Sequence, residues 1–394
     1  MKHTKLQISA STMVNATGAG KTVTQEAISD LKSGLQQAEY PGLDFETWFG
    51  QVSGLESVAI ENNLREFECR NNRLAKLALD TDQFRQAVKQ RKNKYGSHRI
   101  GVFLGTSTSG IANTEQAYCQ RESTASLPES FDLLHTHNVA SVVAYTRASL
   151  GLTGPGICLS TACSSSAKVF AVAQRHIDSG ICDAAIVGGV DSLCLTTLYG
   201  FNSLQLVSAE PCRPWDGARN GINIGEAAGF ALLEPQDGQS AVVLQGYGES
   251  SDAYHMSTPH PEGAGAVIAM NRALQTAGIN KEDIGYINLH GTATPSNDAA
   301  EDKAVNTMFG SNIPCSSTKG WTGHTLGAAG ITEALIAAMV IEHGILPATM
   351  NLETPDPQLL VKVLRENKQA SVNYVMSNSF GFGGSNCSLI LARA

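Results

Sequence analysis

Along the C-terminal two thirds of the chain, short unbroken apolar runs alternate with longer stretches whose apolar positions recur at helical spacing. The runs DAAIVGGV (183–190), AVVLQGYGES (241–250), GYINLHGT (285–292), IPCSST (313–318) and NYVMSNSFGFGG (373–384) predict strands. A strand covered on both faces needs no polar alternation, so such runs point to a buried sheet. Between them, 164–179, 265–277, 298–308 and 326–343 predict helices. The alternation implies an α/β protein in which helices cover a buried sheet. One form recurs: IGEAAGFALLEP (224–235) and FGFGGSNCSLILARA (380–394) each set a glycine-rich turn before an apolar strand. The repeat divides the chain into two halves, 1–240 and 241–394. The segment 36–99 is more polar and irregular and reads as insertions on the first half.

Composition removes several classes of function. With 394 residues, 42% hydrophobic and 16% charged, the chain can bury two packed halves and is not disordered. Its 38 glycines predict tight turns and close backbone contacts. A net charge of −8 is wrong for a nucleic-acid binder. The N-terminal MKHTKLQISASTMVNATG lacks the apolar core of a signal peptide. No apolar run reaches the ~18 residues of a membrane span; with its cysteines read as reduced, a cytoplasmic protein is expected. Nine cysteines, mostly in apolar contexts such as GICLSTAC, read as reduced thiols. No CxxC pair or close Cys/His spacing marks a metal site, and none is expected.

NATGAGKT (15–22) approaches a phosphate-binding loop, but Asn15 stands where that pattern needs glycine, and no strong helix is read directly after it. It reads as a surface turn. Cys163, in STACSSSA, lies between a strand-like and a helix-like segment. A helix start favours a thiolate and offers free N–H groups to an oxyanion. On this segment alone, buried thiol and nucleophile are equally good readings. His290 ends the run YINL, and His324 lies in STKGWTGHTLGAAG between a short strand and a helix. Ligands collect at strand C-termini in α/β sheets. Either histidine alone reads better as a packed loop residue; with Cys163 they form a set that can run acyl transfer. Lys319 adds a cation five residues before His324.

TACSSSA, HGTATPSND, STKGWTGHTLGAAG and NSFGFGGSN, in this order, resemble the condensing enzymes: β-ketoacyl-acyl-carrier-protein synthases of the elongating type, with a thiolase-like fold. PCRPWDGARNGINIGEAAG (211–229) and SDAYHMSTPHPEGAGA (251–266) extend the match over most of 100–394. The resemblance implies two duplicated βαβαβαββ halves in a layered α-β-α-β-α core. It implies decarboxylative condensation of a Cys163-bound acyl chain with a malonyl-carrier thioester. His290 and His324 would stabilise the enolate, and Lys319 and Glu333 would form the network behind them. The N–H groups of Cys163 and Phe382 would form the oxyanion hole, with Phe382 as a gate. Thr292 and Thr294 would contact the pantetheine arm, and Thr108 and Phe201 would line the acyl pocket. No cofactor is implied, since phosphopantetheine arrives on the acyl carrier protein. The partners implied are that carrier and a second family chain, in a homodimer or a heterodimer with a chain-length partner.

The carrier is acidic, so its docking site should be basic. Arg65, Arg70, Arg73 and Lys76 supply one candidate cluster, and Lys89, Arg91, Lys92 and Lys94 a second; a solvated helix face is the commoner meaning of such runs. The first is preferred because the family docks its carrier through a similar region. Two departures from the family stand out: Trp321 replaces a smaller residue near His324, and Thr108 is small and polar. Asn220 and Asn223 are further departures. A thiolase is the nearest rival; Cys387 lies in an apolar strand rather than the turn a thiolase needs. An inactive chain-length partner would lack Cys163.

Overall fold

In the first half, strands Leu6–Asn15 (β1), Ile100–Gly105 (β2), Gly156–Leu159 (β3), Ala184–Asp191 (β4) and Ala227–Pro235 (β5) stand side by side in the order β3-β2-β4-β5-β1. In the second half, Val242–Ser251 (β6), Tyr286–Asn288 (β7), Cys315–Ser316 (β8), Tyr374–Gly381 (β9) and Ser385–Arg393 (β10) take the order β8-β7-β9-β10-β6. Ranked along the chain, both orders are third, second, fourth, fifth, first. The first-ranked strands meet antiparallel at Leu6–Leu244 and Gln7–Val243, and with the short strand Gly18–Ala19 paired to β1 the described residues form one eleven-stranded sheet. The protein is seen here as a computed structural model describing residues 4–37, 39–121, 126–129 and 131–394.

The strands carry no polar alternation because successive side chains enter different cores. Val102, Leu104, Ala184 and Ile186 face an outer cluster. Phe103, Ala185 and Val187, between them in sequence, face the central one. In the second half Val375 and Leu389 point to the centre, while Met376 and Ile390 point to another outer cluster. Two helices fill the centre, Ser165–Asp178 and Ala329–His343. A Cβ on Gly330 would come within 2.4 Å of the Ala167 nitrogen, so only glycine allows this helix approach. Helices Ala264–Ala277 and Pro295–Phe309 cover the outer face of the second half. The result is the layered α-β-α-β-α core.

Three sequence readings need correction. Segment 36–99 is more than insertion: its helices Arg70–Leu79 and Phe84–Tyr95 bury Leu74, Ala78, Leu79, Phe84 and Val88 against the first-half sheet. The polar outer faces of these helices masked their apolar stripe. A helix, Lys21–Ser29, does follow NATGAGKT directly. At its start the Lys21 N–H donates to the Asp82 carboxylate at 3.2 Å, so an acid fills the position a phosphate would take. Finally, Leu326–His343 is long and apolar enough to cross a membrane, with a mean hydropathy of 1.4, but 89% of it is buried in the protein. Its uniform apolarity is that of a helix packed between the two halves of the sheet.

Candidate active site

Cys163 sits on the turn between β3 and helix Ser165–Asp178. The residue before it, Ala162, has φ of 52°, a left-handed conformation that a non-glycine residue holds only when the surroundings enforce it. This sharp turn aims Sγ at the end of β9. A Cβ on Gly381 would lie 2.9 Å from Thr161 O, so glycine there lets the Phe382 backbone approach Cys163. Burial pushes the Cys163 thiol up to about 11, opposed by the Lys319 charge and by the backbone N–H groups of Phe382 and Cys163.

His290 follows β7, where Gly291 takes φ of 42°. The N–H groups of His290 and Gly291 donate to the two carboxylate oxygens of Glu301, each at 2.8 Å. Sequence reading missed Glu301. Its only signal was an acid among the buried positions Ala300, Ala304 and Val305 of an otherwise core-facing helix turn. His324 follows the helical turn Lys319–Thr322. Its N–H donates to Asn223 O at 2.7 Å, and its carbonyl accepts from Gly225 N at 3.0 Å. The first half therefore clamps a second-half histidine, and Asn223 has this backbone role.

The fold brings these groups together. His324 Nε2 is 2.9 Å from Cys163 Sγ, and the two imidazole rings stand edge to face at 5.5 Å. Lys319 Nζ donates to His290 O and to Glu333, and lies 3.3 Å from His290 Nδ1. Burial, then the Lys319 charge, holds both histidines well below their usual range, so they are neutral. An ammonium can only donate, so His290 Nδ1 accepts and its ring proton sits on Nε2. Burial also pushes Glu333 up to about 7 against the pull of Lys319. The ligand atoms of Cys163, His290 and His324 lie within 4.8 Å of one another, a cluster that sequence spacing did not reveal. They are poorly set for a cation, because the proton on His290 Nε2 fills the lone pair a metal would need.

A pocket opens onto this group. Thr292 and Thr294 line it and share a hydrogen bond at 2.9 Å. Phe201 and Phe382 line it too, their rings 5.4 Å apart, and Leu206, Ile222 and Phe380 complete an apolar wall that the sequence did not single out.

Other expected residues lie elsewhere. Thr108 is absent from this lining; it is buried, and its hydroxyl donates to Asp191 at 2.8 Å. Trp321 does not shape the pocket: it is fully buried in the central core, with Nε1 donating to Ala348 O at 3.3 Å. The first basic cluster is largely neutralised. Arg70 grips buried Glu226 through two hydrogen bonds of 3.0 and 2.6 Å and also meets Glu56. Arg73 pairs with Glu68 and Lys76 with Asp80, while Arg65 is exposed. Helical spacing placed three of these cations on one helix but could not show the acids facing them. In the second cluster, Arg91 pairs with Glu234 at 2.8 Å.

A thiol between two neutral imidazoles, on a duplicated five-strand unit, defines the class of cysteine-dependent condensing enzymes with a thiolase-like fold. Residues 75–238 match the model of the β-ketoacyl synthase N-terminal domain, and 241–353 that of the β-ketoacyl synthase C-terminal domain. The chain belongs to the β-ketoacyl synthase family. It is 36% identical over 323 residues to 3-oxoacyl-[acyl-carrier-protein] synthase 2 of Vibrio cholerae, covering 76% of this chain and 77% of that one. It is 34% identical over 365 residues to the mitochondrial 3-oxoacyl-[acyl-carrier-protein] synthase of Arabidopsis thaliana, covering 87% and 77%. Among solved structures, it superposes with a TM-score of 0.90 and 38% identity on a chain of the complex between the ketosynthase ApeO of Xenorhabdus doucetiae and its chain length factor ApeC. That match covers 99% of this chain and 98% of the other.

Proposed function

We propose that this chain condenses a Cys163-bound acyl group with a malonyl-acyl-carrier-protein, releasing carbon dioxide and giving β-ketoacyl-carrier protein. The observation that carries the reading is Cys163 Sγ at 2.9 Å from His324 Nε2, with His290 lining the same pocket and the Lys319–Glu333 pair in contact with His290. In the first step Sγ attacks the acyl thioester carbonyl, and the thiol proton passes to the departing carrier thiol. The N–H groups of Cys163 and Phe382 receive the oxyanion. In the second step the malonyl carboxylate leaves as carbon dioxide. The enolate oxygen takes hydrogen bonds from the neutral imidazoles, His290 through Nε2–H. The enolate carbon then attacks the acyl-Cys163 carbonyl, and Cys163 sulfur is released. Lys319, paired with Glu333, fixes the His290 tautomer that this step requires.

Thr292 and Thr294 would hold the pantetheine arm, and Phe201 and Phe382 would close on the acyl chain. This chemistry calls on no resident cofactor. We assign the nucleophile to a half spanning 1–240 and the histidines to a half spanning 241–394; the repeated strand order supports that division. A cytoplasmic setting fits reduced cysteines and carrier-bound substrates. Arg65 is the exposed member of the basic cluster and the one we retain for carrier docking.

Pairing with a chain-length partner is favoured over a homodimer. The support is the 38% identity, over nearly the whole of both chains, to a chain of a ketosynthase–chain length factor complex. Tyr118, Leu133, Leu134 and Val139 supply exposed apolar surface for such a partner. Intact mass spectrometry after incubation with acyl-carrier thioesters tests the main reading: one acyl group is expected, on Cys163. Acylation at another residue, or none with any chain length, would sink it. Co-expression followed by size exclusion tests the pairing.

A further inference from the structure

Lys319–Thr322 is a single helical turn, and it carries the lysine at one end and delivers His324 at the other. A turn this short cannot satisfy its own carbonyls. Lys319 O accepts from Gly323 N at 2.9 Å and from Cys212 Sγ at 3.3 Å. The next two carbonyls have partners from the far N-terminal part of the chain. Gly320 O accepts from the Ser33 hydroxyl at 2.7 Å, and Trp321 O from Gly34 N at 2.9 Å. The Ser33 hydroxyl itself accepts from Leu35 N at 3.1 Å, which fixes its direction. A Cβ on Gly320 would come within 2.7 Å of the Met350 Cβ, so the turn also packs closely on Met350.

We propose that Ser33 is a positioning residue for the reaction. Through Gly320 O it holds the turn that sets Lys319 against His290 and His324 against Cys163. The inference rests on the proposed condensation and adds a residue that touches none of the reacting groups. Loss of the hydroxyl leaves Gly320 O unpaired on a buried turn, which then relaxes toward other donors. Displacements well under an ångström at Lys319 and His324 weaken donors that act chiefly on the enolate.

The test uses the full-length protein with Ser33→Ala and Ser33→Thr, and reads the two half-reactions separately. Ser33→Ala should form acyl-Cys163 within about threefold of the wild-type rate and decarboxylate malonyl-carrier about 10- to 100-fold more slowly. Ser33→Thr, which keeps the hydroxyl, should recover most of that loss. Equal slowing of both half-reactions, a lowered Tm with unchanged rates, or no change at all would each overturn the proposal. So would failure of Ser33→Thr to recover activity while its Tm matches the wild type. A wild-type chain that neither loads nor decarboxylates would instead overturn the condensation itself.

Discussion

The two central helices occupy matching places in the duplicated halves, yet they bring different chemistry. Ser165–Asp178 starts immediately after Cys163 and lends its N-terminus to that residue. Ala329–His343 carries Glu333 on its second turn, paired with Lys319 in the core. In the proposed reaction one half would supply the nucleophile, and the other the proton donors and their charge network. Duplication gave two equivalent strand ends, and the pocket forms where they face each other. Neither half holds a complete site: the N–H of Phe382 reaches Cys163 from β9, and Asn223 and Gly225 of the first half fix the His324 backbone.

Breaking each half separately should expose this division. Cys163→Ala should reduce acyl loading by roughly a thousandfold or more, while malonyl decarboxylation persists. His290→Ala and His324→Ala should still load Cys163 but condense about 100- to 1,000-fold more slowly. Radiolabelled acyl transfer and carbon dioxide release separate the two; a histidine variant that lost only loading would reverse the assignment.

The buried pair comes next in size. Lys319→Met or Glu333→Gln strands one charge in the core and should cost about 3–5 kcal/mol in denaturant unfolding. The double variant Lys319→Met/Glu333→Leu should regain much of that stability without regaining condensation. If the single variants matched the wild type in stability, the pair would not be buried as described.

The raised thiol of Cys163 sharpens the comparison through pH. Its ordinary value is 9.0 and the site pushes it up to about 11, so the thiolate fraction keeps rising through pH 9 and 10. Iodoacetamide alkylation of Cys163, followed by peptide mass spectrometry, should therefore climb about tenfold per pH unit over that range. A plateau near pH 9 would mean that the second half stabilises the resting thiolate.

Trp321 should give the smallest effect. Trp321→Met removes packing from the central core and should cost about 1–3 kcal/mol, with KM within twofold of wild type. A large KM change would put the indole back at the pocket.

Much was legible before folding was considered. The runs at 183–190, 241–250 and 373–384 became β4, β6 and β9 with ends shifted by a few residues at most. Cys163, His290 and His324 stood out by their place at the ends of apolar segments. Part of what failed did so because a side chain's partner lies far away in sequence. Arg70 looked like a free cation until Glu226, 156 residues on, was seen to hold it. Thr108 looked like a pocket residue until Asp191 took its hydroxyl.

The sequence by itself determined the layered α/β class, the recurrence of one strand motif, and the three residues able to carry acyl transfer. It did so because periodicity and local turn chemistry are short-range properties. Only the tertiary structure decided that Cys163 lies beside His324 rather than isolated in the core, that both imidazoles are neutral, and that Lys319 selects the tautomer of His290. Those facts depend on burial and on contacts between residues up to 161 positions apart, which no local pattern encodes.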